Sequence, residues 1–149
     1  MQKNEEKDNI LFLDFDGVIN IKGNHGLHSI QSDEAVYYIN KLCLETGFKI
    51  VVSSSWKELI NYKDFLYSIG IDKNIDIVGK TECYKYGKEY EISKYLNDHK
   101  IEKYIIIDDA SFSSEFAPHH IQTAARLGFT KNKYEEALIK INNLDNLSQ

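Results

Sequence analysis

The sequence predicts an α/β fold, a doubly wound (Rossmann-like) parallel sheet of about five strands without a substantial cap domain. Three observations predict it. Short continuous apolar runs, residues 10–13 and 104–107 above all, fit strands buried on both faces. Segments with apolar residues at helical spacing alternate with those runs. Polar residues follow the runs abruptly: Asp14 after the first, Ser53-Ser54 after the second, Asp108-Asp109 after the fourth.

The elements follow in chain order. Residues 1–9 form a polar tail, and the domain is expected over 10–145. Residues 10–13 are the first strand, and residues 20–31, with two Gly and two His, read as loop. Ser32 is the expected N-cap of a helix that Asp33 and Glu34 open. Its apolar face is Ala35, Tyr38, Ile39, Leu42 and Cys43, and Gly47 ends it. Residues 48–52 are the second strand, 53–56 a turn, and 57–69 a helix stopped by Gly70. A short third strand spans 75–78, closed by Gly79. A helix is expected over 89–99 and a fourth strand over 104–107. A loop then runs through Pro118, a short fifth strand covers 120–123, and a last helix covers residues 132–143.

Composition bounds the function. At 149 residues the chain has the length of about one domain, enough for a sizeable core. The net charge of -5 argues against nucleic-acid binding through bulk charge. No apolar leader or membrane span is visible, so a cytoplasmic location is the expectation, with Cys43 and Cys83 as free thiols.

The chemistry gathers at the strand ends, because ligands of open parallel sheets bind outside their carboxyl edge. Asp14 and Asp16, two apart on an extended chain, would point the same way. Such close carboxylates repel unless a cation intervenes, and Asp108 and Asp109 add to the charge. Hard oxygen ligands of this kind suit Mg²⁺, which takes one or two carboxylates plus substrate phosphate.

The string Asp14-Phe15-Asp16-Gly17-Val18-Ile19-Asn20 resembles the first motif of the haloacid dehalogenase-like (HAD) phosphohydrolases. Ser54 resembles their second motif and Asp108-Asp109 their fourth, in the expected order. A narrower likeness joins Ser53-Ser54-Ser55-Trp56, the segment Lys88-Glu89-Tyr90-Glu91-Ile92 and Leu127-Gly128-Phe129-Thr130. These resemble the HAD domains of Swiss Army Knife RNA repair proteins, where Lys88 is usually Arg.

The resemblance implies a phosphatase, with sheet order five, four, one, two, three. Asp14 would be the nucleophile that forms an aspartyl phosphate, and Asp16 the general acid and then base. Asp14 and Asp108 would hold Mg²⁺ by their carboxylates, Asp16 by its backbone carbonyl, and Asp109 would assist. Ser54, Lys88 and Gly17 would contact the substrate phosphate. The implied substrate is a terminal phosphate on an RNA or DNA end. A small-metabolite or nucleotide phosphatase, a phosphotransferase and a catalytically silent phosphate-binding regulatory domain are the alternatives. Oligomeric state stays open.

Other residues compete for roles. Ser53 could replace Ser54, and Lys80 or Lys85 could replace Lys88, although Lys88 opens a helix whose N–H groups favour an anion. His119-His120 lacks the spacing of a metal pair and reads as loop or edge strand. His25 and His28 read as loop residues, and Trp56 as core or a pocket wall. Tyr84, Tyr86 and Tyr90 beside Lys85 and Lys88 form a small basic-aromatic patch. No segment between the motifs has room for a folded cap, which needs about 40 residues.

Overall fold

In a computed structural model the described residues are 7–22, 29–54, 61–83 and 85–147. His25, His28, Trp56, Tyr84 and the expected helix start at residue 57 lie outside them.

The central sheet is built from β1 (Asp8–Leu13), β4 (Lys49–Val52), β5 (Ile77–Lys80), β6 (Ile101–Asp108) and β7 (His120–Gln122). Its order is β5-β4-β1-β6-β7, with every pairing parallel. This is the order the resemblance implied. A two-stranded antiparallel hairpin, β2 (Asn20–Ile21) with β3 (Ile30–Gln31), stands where only loop was expected. Two-residue strands carry too short a pattern to be read from sequence.

Among the described residues four helices cover the sheet: α1 (Asp33–Thr46), α2 (Tyr62–Ser68), α3 (Lys88–Asp98) and α4 (Lys131–Leu147). α1 begins and ends as its caps demand. The Ser32 hydroxyl accepts the Ala35 N–H at 3.1 Å, and Gly47 takes the left-handed conformation with φ 77°.

Side chains alternate across each strand with period two, and the helices divide accordingly. Leu11, Leu13, Ile50, Val52, Ile105 and Ile107 face α1, α2 and α4, meeting Ile39, Leu42, Leu66, Ala137 and Ile141. Ile10, Phe12, Val51 and Ile106 face the other way, toward Ile92 of α3. Both faces of β1 are therefore dry, and each fully buried Leu, Ile or Phe contributes about 1.5–3 kcal/mol.

Several boundaries differ from expectation. β1 and β6 begin earlier than their apolar cores, because Asp8 pairs with Ile101 in the ladder and holds Lys49 at 3.0 Å. The third sheet strand in sequence covers 77–80 instead of 75–78. Gly79 sits inside it, paired with Val51, and does not close it. The edge position tolerates that glycine. A 3-10 turn, Ser114–Phe116, interrupts the loop before β7. α4 runs on to Leu147. No helix among the described residues is long and apolar enough to cross a membrane.

Candidate active site

The inward alternation of the strands, carried one step past their ends, creates the site. Asp14 follows Phe12 on the α3 side and Asp108 follows Ile106 on that side. The ladder continues that far, since the Asp14 N–H still donates to the Ile107 carbonyl at 3.1 Å. The Ser53 N–H donates to Leu13 and the Thr81 N–H to Val52. Thr81, Ser53, Asp14 and Asp108 thus form one transverse row across four strands, every member buried.

Lys88, the first residue of α3, closes this row from above. Its ammonium lies 2.6 Å from Asp108 Oδ2 and 3.6 Å from Asp14 Oδ1. The other Asp108 oxygen accepts the Ala110 N–H at 2.9 Å, and Asp14 Oδ1 accepts the Phe15 N–H at 2.9 Å. Asp108 is fully buried, so this cation and this N–H replace the water it lost.

The electrostatics follow from burial. Desolvation pushes the Asp14 carboxyl up, the Asp108 charge pushes it further, and Lys88 and the Phe15 N–H offset only part. The carboxyl ends at about 7, against an ordinary 3.8. Burial works to lower Lys88, but Asp14 and Asp108 outweigh it and hold the ammonium above its ordinary 10.5. Lys88 is charged at every working pH.

One oxygen from each of Asp14, Asp108 and Asp109 can be chosen so that all three lie within 4.8 Å of one another. Three hard oxygen donors at such spacing fit a divalent cation, and a second positive charge there would relieve the repulsion that Lys88 leaves. The Asp16 carboxylate is not one of that group. Extended backbone stops at Leu13, so Asp16 stands on a turn and not on the strand. The Phe15 carbonyl then accepts the N–H groups of Val18, Ile19 and Asn20, and the chain turns. Asp16 is exposed at the tip, where Asn20 Nδ2 donates to its carboxylate at 3.4 Å.

Gly17 has two reasons to be glycine. Its φ is 81°, and a Cβ there would collide with the Asp109 carboxylate. Its N–H already donates to the Asn20 carbonyl at 2.7 Å. In this conformation Gly17 makes room for Asp109.

The remaining candidates separate. Ser54 and Ser53 are both buried, and the Ser53 hydroxyl has no hydrogen-bond partner among the described residues. Lys80 lies over the Tyr62 ring and lines a hollow of about 280 Å³ with Glu82, Glu91 and Tyr95, which none of the strand-end carboxylates enters. Lys85 is exposed over the Tyr86 ring. His119 stacks on Tyr104 and donates to its carbonyl, while His120, in edge strand β7, donates to the Asp108 carbonyl at 3.2 Å. Burial pulls both imidazoles below their ordinary 6.5, so they serve as neutral struts of the acidic strand end. Cys43 is buried in α1 and Cys83 is exposed.

Two residues of the site's frame were assigned no role from the sequence. Thr123 donates its hydroxyl to the Gly17 carbonyl at 2.6 Å and its N–H to the Asp108 carbonyl at 3.2 Å. It ties the first acidic turn to the second. Glu89 accepts both the N–H and the hydroxyl of Ser113, at 2.9 and 2.6 Å, fastening α3 to the loop after Asp109. A polar residue near a strand or helix end is too common to single out without the tertiary contact.

The profile of the HAD domain in Swiss Army Knife RNA repair proteins matches residues 10–134. The chain belongs to this family. Membership implies a hydrolase of the phosphohydrolase type, and the acidic cluster of this HAD domain fits the divalent metal that such chemistry uses. The late Leu127–Thr130 segment has a physical role in the domain. Gly128, with φ 69°, lets the chain touch the Val18 carbonyl, which accepts the Phe129 N–H at 3.0 Å and braces the first motif from behind. No curated protein matches the chain.

Proposed function

We propose that the protein hydrolyses phosphomonoesters with Mg²⁺, through an aspartyl phosphate on Asp14. The observation that carries this reading is the buried row in which Lys88 pairs at once with Asp14 and Asp108. Asp14, Asp108 and Asp109 would hold the metal by carboxylates and Asp16 by its carbonyl. The metal would supply charge neutralisation for an incoming dianionic phosphate.

This chain's own residues then have separable tasks. An Asp14 carboxylate oxygen forms a bond to phosphorus as the ester P–O bond breaks. Asp16, exposed and off the acidic cluster, gives its proton to the leaving oxygen and afterwards takes one from the water that cleaves the acyl phosphate. Lys88 offsets charge on the transferring group. The buried Ser53 hydroxyl in the row with Asp14 is the stronger donor to a phosphoryl oxygen, with Ser54 beside it.

The favoured substrate is a terminal phosphate on an RNA or DNA end. The family's description supports it, as does the small hairpin β2–β3 in the place where a cap would stand. The net charge of -5 favours a second reading, a small-metabolite or nucleotide phosphatase that needs no extended basic surface. The test is phosphate release from an aryl phosphate with and without Mg²⁺, followed by oligonucleotides carrying 5′- or 3′-phosphate and by free nucleotides. Mg²⁺-dependent release, fastest from oligonucleotides, is expected. A preference for free nucleotides would replace the substrate assignment. No release from any of them by folded, Mg²⁺-loaded protein would leave a phosphate-binding regulatory domain.

A further inference from the structure

Thr123 stands one residue past β7, where the chain leaves the sheet beside the acidic strand ends. Its N–H carries the β6–β7 ladder one step further, donating to the Asp108 carbonyl at 3.2 Å. Its hydroxyl donates in another direction, to the Gly17 carbonyl at 2.6 Å. One residue thus bonds both acidic turns, the first carrying Asp14 and Asp16 and the second Asp108 and Asp109. The two turns also touch next to this bond, where the Asp109 carboxylate fills the place that a Cβ on Gly17 would take. Thr123 is buried, and packing does not ask for its hydroxyl, since Val is equally branched and suits a strand end as well. A buried hydroxyl is unfavourable unless it is hydrogen-bonded, so what it adds over a methyl group is the bond to Gly17.

We propose that Thr123 is a positioning residue for the divalent cation, holding the two acidic turns at the close spacing that a small ion needs. The carboxylates of the two turns repel one another, and repulsion favours a wider cage. Mg²⁺ holds its oxygens at about 2.0–2.1 Å in near-octahedral geometry, whereas Ca²⁺ takes about 2.3–2.6 Å in a looser one. Two turns pinned together resist the widening that suits the larger ion. Freed of the hydroxyl bond, they spread under their own charge, and the smaller ion loses its fit first. The inference rests on the metal reading above and assigns part of the ion preference to a residue that supplies no carboxylate.

The test is isothermal titration calorimetry of the metal-free full chain with Mg²⁺ and with Ca²⁺ at pH 8. Four proteins are compared: the parent, Thr123→Val, Thr123→Ser and Ile141→Val, the last of which trims the buried face of α4 instead. Thr123→Val is expected to weaken Mg²⁺ by about tenfold, the low end of what losing an outer partner of a metal site costs, and Ca²⁺ by less than about threefold. Thr123→Ser keeps the hydroxyl and is expected to restore the parent's ratio of the two affinities. Ile141→Val lowers stability without touching the bond and is expected to leave that ratio unchanged. Equal weakening of both ions in Thr123→Val, no weakening of Mg²⁺, or a Thr123→Ser variant that behaves like Thr123→Val overturns the proposal. So does an Ile141→Val variant whose ratio shifts as far, because the effect would then be one of stability alone. If the parent binds neither ion, the metal reading itself fails and the proposal falls with it.

Discussion

Replacing Asp14 by Asn should stabilise the metal-free protein at pH 8 and leave it little changed at pH 4. In the fold the Asp14 carboxyl titrates at about 7, because it is buried and because Asp108 is beside it; unfolded, it returns to about 3.8. Between those values the folded state keeps a proton that the unfolded state has lost. Stability contributed by this group therefore falls as pH rises through the window, and the full cost is present above 7. Moving from 3.8 to about 7 sets a ceiling of about 4 kcal/mol on that cost. The pull of Lys88 is already inside that value, and Lys88 keeps Asp108 at 2.6 Å; with part of the ceiling lost to the uncharged amide's poorer fit in the row, a net gain of about 1–3 kcal/mol is expected. For a chain of this size that is a rise in Tm of roughly 3–10 °C. The assay is thermal and urea unfolding of parent and variant in EDTA at pH 4 and pH 8. The difference between the two proteins cancels His119, His120 and every other group they share. A variant no more stable than the parent at pH 8, or stabilised equally at both pH values, would refute the reasoning. Added Mg²⁺ should stabilise the parent far more than the variant.

Other substitutions test the frame. Lys88→Met should destabilise the metal-free fold by about 3 kcal/mol, by leaving Asp108 buried without its cation, and Mg²⁺ should recover part of the loss; urea midpoints read both. Gly17→Ala should cost about 1–3 kcal/mol and most of the turnover, because its Cβ meets the Asp109 carboxylate at a positive φ; unfolding and aryl phosphate kinetics check it. Thr123→Val keeps the N–H bond to Asp108 but leaves the Gly17 carbonyl without its donor. It should cost about 1 kcal/mol and lower kcat more than it changes KM, as steady-state rates would show.

What was legible in the sequence was whatever local chemistry decides. Ser32 and Gly47 announce α1 because caps act within a few residues. Asp14 and Asp108 stand out because a carboxylate directly after a doubly buried strand must find partners for its charge. Lys88 is separable from Lys80 and Lys85 in sequence only through its place at a helix start, and its ammonium lies against Asp14 and Asp108. Pairing partners decided the rest. Gly79 reads as a stop until Val51 is seen beside it, and Asp8 reads as tail until Ile101 pairs with it. Asp16 stands past the end of β1, on a turn where the Phe15 carbonyl gathers three N–H groups, which no apolar run foretells. Thr123 and Glu89 act on residues far away in sequence, at Gly17 and Ser113, and no local pattern marks them.

The central claim is that Asp14 carries the phosphoryl group between ester and water. Acid-quenched single turnovers with an aryl phosphate and Mg²⁺, followed by peptide mapping, would test it most directly. The account predicts an acid-stable phosphate on the peptide containing Asp14, its level raised in Asp16→Asn, where the hydrolytic base is gone, and absent in Asp14→Asn. Steady turnover with phosphate on another residue, or turnover retained by Asp14→Asn, would contradict it.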